Sequence, residues 1–253
     1  NCMSQGKNVL YITLEMAEER IAERIDANLM NISMEDLHDL PKQMFESKIE
    51  KIVKGTSGKL IVKEYPTASA NSAHFRGLIK ELAIKKSFKP DIIFIDYLNI
   101  CGSSRFKGAT NVNSYMYIKS IAEELRGLAV ETNLPIMSAT QTTRSGFVST
   151  DIGLEDTSES FGLPATADFM FALISNEELD ELNQIAVKQL KNRYNDPTVN
   201  KRFVIGIDRA KMRLFDVKMT EQNIVDSGQS KETEDTFTSA VFDKTDFGEG
   251  WKV

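Results

Sequence analysis

Pro90-Asp91-Ile92-Ile93-Phe94-Ile95-Asp96-Tyr97-Leu98 decides the fold. A short, continuous apolar run that ends in a carboxylate reads as a strand buried on both faces, the kind found in parallel sheets. Two other runs have the same design. Asn8-Val9-Leu10-Tyr11-Ile12-Thr13-Leu14 ends at Glu15, and Pro135-Ile136-Met137-Ser138-Ala139-Thr140 ends at Gln141. Ligands of a parallel α/β sheet bind outside the carboxyl ends of its strands. Glu15, Asp96 and Gln141 therefore stand where one pocket would form. An acid after an apolar strand is a usual way to hold Mg²⁺ beside nucleotide phosphates. The phosphate-cradling loop that normally accompanies it, Gly-rich and ending Gly-Lys-Ser/Thr, is not found in these 253 residues.

Helical stretches separate the strands, as in βαβ units. Glu18 to Leu29 carries Ile21, Ile25 and Leu29 at helical spacing. Met34 to Val53 reads as two short helices around Pro41. Leu60-Ile61-Val62 is a strand closed by Pro66. Ala73 to Lys86 is a helix with a Phe75, Leu78, Ile79, Leu82 stripe, capped by Asn71 or Ser72. Ser114 to Thr132 is a helix with Ile118, Ile121, Leu125 and Leu128 on one face. Cys101 to Asn113 and Thr142 to Gly162 are rich in Gly, Ser and Thr and read as irregular. Phe169–Ile174, Gln184–Leu190, Phe203–Ile207 and Leu214–Val217 are strand-like, and the last two flank a hairpin or short connection.

Composition places the chain among ordinary globular proteins, with 41% hydrophobic and 27% charged residues. No apolar run approaches the roughly 20 residues that span a bilayer. Two cysteines, Cys2 and Cys101, suggest a reducing compartment. With only His38 and His74 beside them, a zinc site is not expected, and each His reads as a surface or cap residue. The net charge is −6, and Lys218 to Val253 holds eight acids against four lysines, hence −4 of it. General attraction to nucleic acid is thus excluded, while a local basic site on the body is not. The tail, 218–253, reads as disordered. Its Phe237, Phe242, Phe247 and Trp251 either dock on a partner or pack on the parent domain.

The order of these segments resembles the ATPase domain of DnaB-type hexameric replicative helicases, those of T-even phages most of all. Five segments carry the resemblance: Leu10–Met16, Ile93–Leu98, Ile136–Gln141, Ser158-Glu159-Ser160 through Ala167-Asp168, and Lys188–Arg193. They cover roughly residues 8 to 217. The resemblance implies a RecA-like P-loop NTPase core, a mainly parallel twisted sheet flanked by helices, over residues 1–217. It implies that Glu15 is the general base, that Asp96 in the Walker B strand holds Mg²⁺, and that Gln141 senses the γ-phosphate. Lys191 and Arg193 would reach a neighbour's nucleotide. Arg105 and Lys107 in the first irregular stretch, and Arg144 in the second, are candidate DNA contacts.

By the same resemblance the intact protein would use ATP and Mg²⁺ and move 5′ to 3′ on single-stranded DNA as a homo-hexamer. Primase and a helicase loader are expected partners, no membrane is, and the setting is the cytoplasm, that of the host if the chain is phage-encoded. The family's Walker A loop precedes the first of these strands, with a helix between, whereas only Asn1 to Lys7 precede it here. Gly6-Lys7 is followed by Asn8 and a strand, so it is no substitute. The chain is accordingly expected to lack the Walker A segment, to hydrolyse ATP poorly alone and to melt at reduced temperature. Two other readings stand beside this one: a RecA-like recombinase ATPase that builds filaments, and a non-catalytic fragment that only oligomerises or binds partners.

Overall fold

The structure is a computed structural model that describes residues 1–106, 113–143, 152–156, 162–196 and 198–218. Its first half is a four-stranded sheet. Strands β1 (Val9–Thr13), β2 (Leu60–Glu64), β3 (Ile92–Asp96) and β4 (Ile136–Ser138) lie in the order β2-β1-β3-β4, all parallel. Helices α1 (Glu18–Met30), α2 (Met34–His38), α3 (Lys42–Gly55), α4 (Ser72–Lys86) and α5 (Ser114–Thr132) make the crossovers. Leu10, Ile12, Ile93 and Ile95, which share one face, are fully or almost fully buried, while on the other face Tyr11, Ile92 and Phe94 are half-buried. Phe75, Leu78 and Leu82 of α4 and Ile121, Leu125 and Leu128 of α5 close the core over them.

Local chemistry sets the helix ends. Asn71 caps α4, its Oδ1 accepting from the Ala73 and His74 amides, while the Asn71 amide donates to His74 Nδ1. Of the two candidate caps, Asn71 is the one used, and His74 serves as part of that cap. Asn113 caps α5 through the Tyr115 amide. Helices α1 and α5 end on Asn31 and Asn133, both in the left-handed region that Asn tolerates.

The second half adds a second sheet to the parallel one. Strands β5 (Phe169–Ile174), β6 (Gln184–Asn192), β7 (Arg202–Asp208) and β8 (Arg213–Asp216) form a separate antiparallel sheet in sequence order. The reason lies in the connections. Residues 175–183, which include α7 (Glu177–Glu181), residues 193–201 and residues 209–212 join these strands. Links that short favour antiparallel neighbours, whereas a parallel crossover takes a dozen residues or more. Ala172, Ile174, Ala186 and Val204 pack with Ile152 on one face. On β5, Phe169, Phe171 and Leu173 are exposed.

Helix α6 (Gly162–Thr166) packs on α5 and leads into β5. Polar contacts tie the β7–β8 turn to the end of α1. The Met34 amide donates to the Ala210 carbonyl (2.9 Å), Asn28 Nδ2 to the Met212 carbonyl (2.6 Å), and Arg213 to Asn31 Oδ1 (3.0 Å). No described helix is long and apolar enough to cross a membrane. The tail after Lys218 lies outside the described residues, as do Lys107, Arg144 and the Ser158-Glu159-Ser160 segment.

Candidate functional site: the carboxyl ends of the parallel strands

Parallel register places Thr13 beside Asp96 and Ile95 beside Ser138, so β1, β3 and β4 end at one level. Hydrogen bonds knit these ends. The Leu14 amide donates to the Asp96 carbonyl (2.9 Å), the Leu98 amide to the Ala139 carbonyl (3.2 Å), and Ser138 Oγ to the Ile95 carbonyl (2.8 Å). The three polar residues singled out at the strand ends thus sit on one edge of one sheet.

Asp96 is half-buried. Its Oδ2 accepts from the Tyr11 hydroxyl at 2.9 Å, and its Oδ1 has no partner among the described residues. The Tyr11 ring stacks on Phe94. Burial first, and the Asp96 hydrogen bond second, push the Tyr11 phenol well above its ordinary range, so it stays a donor. Asp96 is thereby fixed by one oxygen and open at the other.

Glu15 lies in the bend after β1, exposed, with no hydrogen bond or ion pair among the described residues. It does not start a helix. Helix α1 begins at Glu18 behind Ala17, and its first-turn acids are Glu18 and Glu19. The bend is built by Thr13, fully buried, whose hydroxyl donates to the Met16 carbonyl (2.8 Å) and accepts from the Met16 amide (3.1 Å). Thr67 Oγ1 holds the Leu14 carbonyl at 2.7 Å. A free carboxylate on a braced bend is suited to take a proton from water.

Gln141 is exposed, and its Nε2 donates to the Tyr97 hydroxyl at 3.1 Å. Tyr97 directly follows Asp96. The amide is thus linked to the strand that carries the candidate metal ligand.

Lys191 and Arg193 lie elsewhere. They converge on the end of α6 and on Asp168. Arg193 pairs with Asp168 (3.0 Å) and donates to the Ala165 carbonyl (2.6 Å), and Lys191 donates to the Pro164 and Ala165 carbonyls. Arg126 of α5 joins them, 2.7 Å from Asp168 and 2.9 Å from the Thr166 carbonyl. The Arg126 hydrogen bond, reinforced by Arg193, holds the Asp168 carboxyl below its ordinary range. Burial lowers the Lys191 ammonium, and the neighbouring Arg193 lowers it further. The structure does not join these cations to Asp96 or Gln141. Sequence reasoning missed Arg126, whose only signal was a charge on the otherwise polar side of a helix.

Arg105 is ion-paired with Glu123 of α5. Its segment is anchored by Glu124, whose carboxylate accepts from the hydroxyls of Ser72 (3.0 Å), Ser103 (2.6 Å) and Ser104 (2.8 Å) and from the Ser104 amide. Lys107 and Arg144 fall outside the described residues. A depression of about 590 Å³ opens beside Arg105, Arg126 and Thr166. It shares no lining residue with the strand-end group.

No group of three or more His, Cys, Asp or Glu side chains is placed to cage a metal among the described residues. The donor set fits Mg²⁺ nonetheless. That ion is usually held by one or two carboxylates, with water and substrate phosphates completing its shell, and Asp96 Oδ1 is such a carboxylate.

A family model described as the DnaB-like helicase C terminal domain matches residues 1–217. The chain belongs to that family. Relatives of this DnaB-like domain include the DnaB-like replicative helicase of Enterobacteria phage T4. It is 44% identical over 236 residues, which are 90% of this chain and 50% of that protein. A probable plasmid replicative DNA helicase of Chlamydia psittaci is 35% identical over 145 residues, 56% of this chain and 30% of that protein. The chain thus spans half or less of the length of these relatives. Among solved structures, a DnaB-like replicative helicase described with its interactions with primase superposes with a TM-score of 0.69 at 16% identity. The match covers 85% of this chain and 52% of that one. A second solved structure, described as an ATPase domain, also gives 0.69 at 16% identity, over 85% of this chain and 76% of that one. At such identity these likenesses speak for the fold: a RecA-like core with a parallel sheet flanked by helices.

Proposed function

We propose that this chain is the motor part of a replicative DNA helicase that hydrolyses ATP with Mg²⁺ and moves 5′ to 3′ along single-stranded DNA as a homo-hexamer. The observation that carries the reading is the alignment of a free Glu15, a half-open Asp96 and Gln141 along one strand-end edge, in a chain of the DnaB-like family. The direction and the ring rest on the family resemblance.

In this reading Asp96 Oδ1 holds Mg²⁺ and Tyr11 keeps the carboxylate oriented. When bound, the ion would supply positive charge against the nucleotide's phosphates. Glu15 accepts the proton of the attacking water. Gln141 donates to the γ-phosphate, and its tie to Tyr97 couples that contact to β3. Arg193 and Lys191 serve the neighbouring subunit's phosphates. In the isolated chain they are docked on Asp168 and α6, so a neighbour's phosphates would compete for them. Arg105, Lys107 and Arg144 remain the candidate DNA contacts, and repetition around a ring would turn weak contacts into a grip. Primase and a loader are the expected partners.

These 253 residues hold no Gly-Lys-Ser/Thr loop, so this chain by itself is proposed to turn over ATP slowly or not at all. The test supplies the loop. Residues 8–217 replace the matching part of the phage T4 relative, and the chimera is assayed on forked DNA. ATP- and Mg²⁺-dependent displacement that requires a 5′ single-stranded tail is expected. A chimera that assembles and binds nucleotide but never unwinds contradicts the reading.

A further inference from the structure

At the opposite end of the parallel sheet from Asp96, where its strands begin, a groove of about 540 Å³ opens between α1, α3 and the start of β2. Its floor is apolar, formed by Leu29, Ile52, Val53 and Phe88, and its rim carries Lys59 and Lys86. Helix α3 buries none of its residues fully, and Val53 is left 67% exposed beside the groove. An apolar floor this open is a place for an apolar side chain.

The surroundings are basic. The Asn8 side chain accepts from the Lys59 amide and donates to the Lys89 carbonyl, which draws Lys7, Lys59 and Lys89 to this end of the sheet. None of Lys7, Lys59, Lys86 and Lys89 has an ion pair among the described residues. Of the nearby acids, Glu50 is paired with Lys54, Asp91 accepts from the Asn8 amide, and Glu81 and Glu18, which also feel Lys86, are paired with Lys85 and Lys63.

One segment of the same chain has the complementary chemistry. After Lys218 come eight acids and three lysines, with Phe237, Phe242, Phe247 and Trp251 spaced four or five residues apart. Asp246 and Glu249 lie next to or near the last two of these aromatics. The tail also starts nearby. Arg213, first residue of β8, bonds to Asn31, two positions past Leu29 of the groove floor, and β8 is four residues long. From Lys218, a chain that extends about 3.3 Å per residue reaches the groove with length to spare. Tethering raises the local concentration of the aromatic end, so a modest contact is sufficient.

We propose that residues 219–253 fold back onto this groove of their own chain, with Trp251 in the apolar floor and the tail acids against Lys59 and Lys86.

Trp251 is the only tryptophan, so its fluorescence reports the contact directly. In the full chain its emission is expected to lie blue of the guanidinium-unfolded chain and to resist acrylamide quenching several-fold. Lys59→Glu with Lys86→Glu is expected to return both to the unfolded values. Val53→Asp, at an exposed position, should do the same, while the far-UV spectrum of each variant stays native. Unfolded-like emission in the wild-type chain overturns the proposal. So does a blue emission that neither variant alters, which puts the tail elsewhere. A blue emission that fades on dilution also overturns it, since the occupant would then be a second copy.

Discussion

Asp96 gives one oxygen to Tyr11 and keeps the other open, and Glu15 stands unpaired on a bend that Thr13 braces. In the proposed mechanism this division separates holding from reacting. In the chimera, Glu15→Gln is expected to lower the ATP turnover rate about 10²- to 10⁴-fold, the usual worth of a general base, and to leave nucleotide affinity unchanged. Single-turnover hydrolysis beside equilibrium binding separates the two effects. Thr13→Val removes both hydrogen bonds to Met16 and leaves its amide unsatisfied in a half-buried turn. A loss of about 1–3 kcal/mol is expected in urea denaturation of the chain. Glu15, Asp96 and Gln141 were legible because a polar residue after an apolar run is a local signal. Tyr11 and Tyr97 were not, since their bonds to Asp96 and Gln141 join residues 85 and 44 positions apart. Only folding brings those pairs together.

The elements that were legible are those with a period in their own sequence. Helix α5 runs Ser114–Thr132 and β3 ends at Asp96, where the patterns put them. The second sheet was legible strand by strand, and so was the short β7–β8 connection, but not the pairing of β5 and β6, because pairing depends on connection length as well as on the strands themselves. Nor did a pattern point to Glu124, which ties α4, α5 and the segment after β3 into one knot. Burial alone would raise its carboxyl, but the hydrogen bonds from Ser103, Ser104 and Ser72 outweigh it and hold the group below its ordinary range. Folding therefore favours the charged form. That contribution is complete above the unfolded value, near 4.3, and is lost as pH falls through the folded one. Glu124→Gln is expected to lower the melting temperature at pH 7. It is also expected to flatten the melting temperature's decline between about pH 5 and pH 3, as read by thermal melts across that range.

As a whole molecule, the chain carries two polar groups that do not meet: the strand-end edge and the Lys191–Arg193 cluster on α6. In the proposed function, a site shared between subunits would account for that separation. Arg193→Ala in the chimera is expected to cost about 10³–10⁵ in turnover. Mixing Arg193→Ala subunits with Glu15→Gln subunits should restore part of it, because one interface then has both an intact base and an intact arginine. Mixtures as inactive as either parent would place Arg193 and Glu15 of one subunit at the same site and contradict a shared one. The strand-end assignment itself is tested most directly by single-stranded-DNA-stimulated ATP hydrolysis of the chimera with Asp96→Asn. The account predicts Mg²⁺-dependent turnover in the chimera and background turnover in the variant, with assembly retained. Hydrolysis by the variant at the parent rate would contradict it.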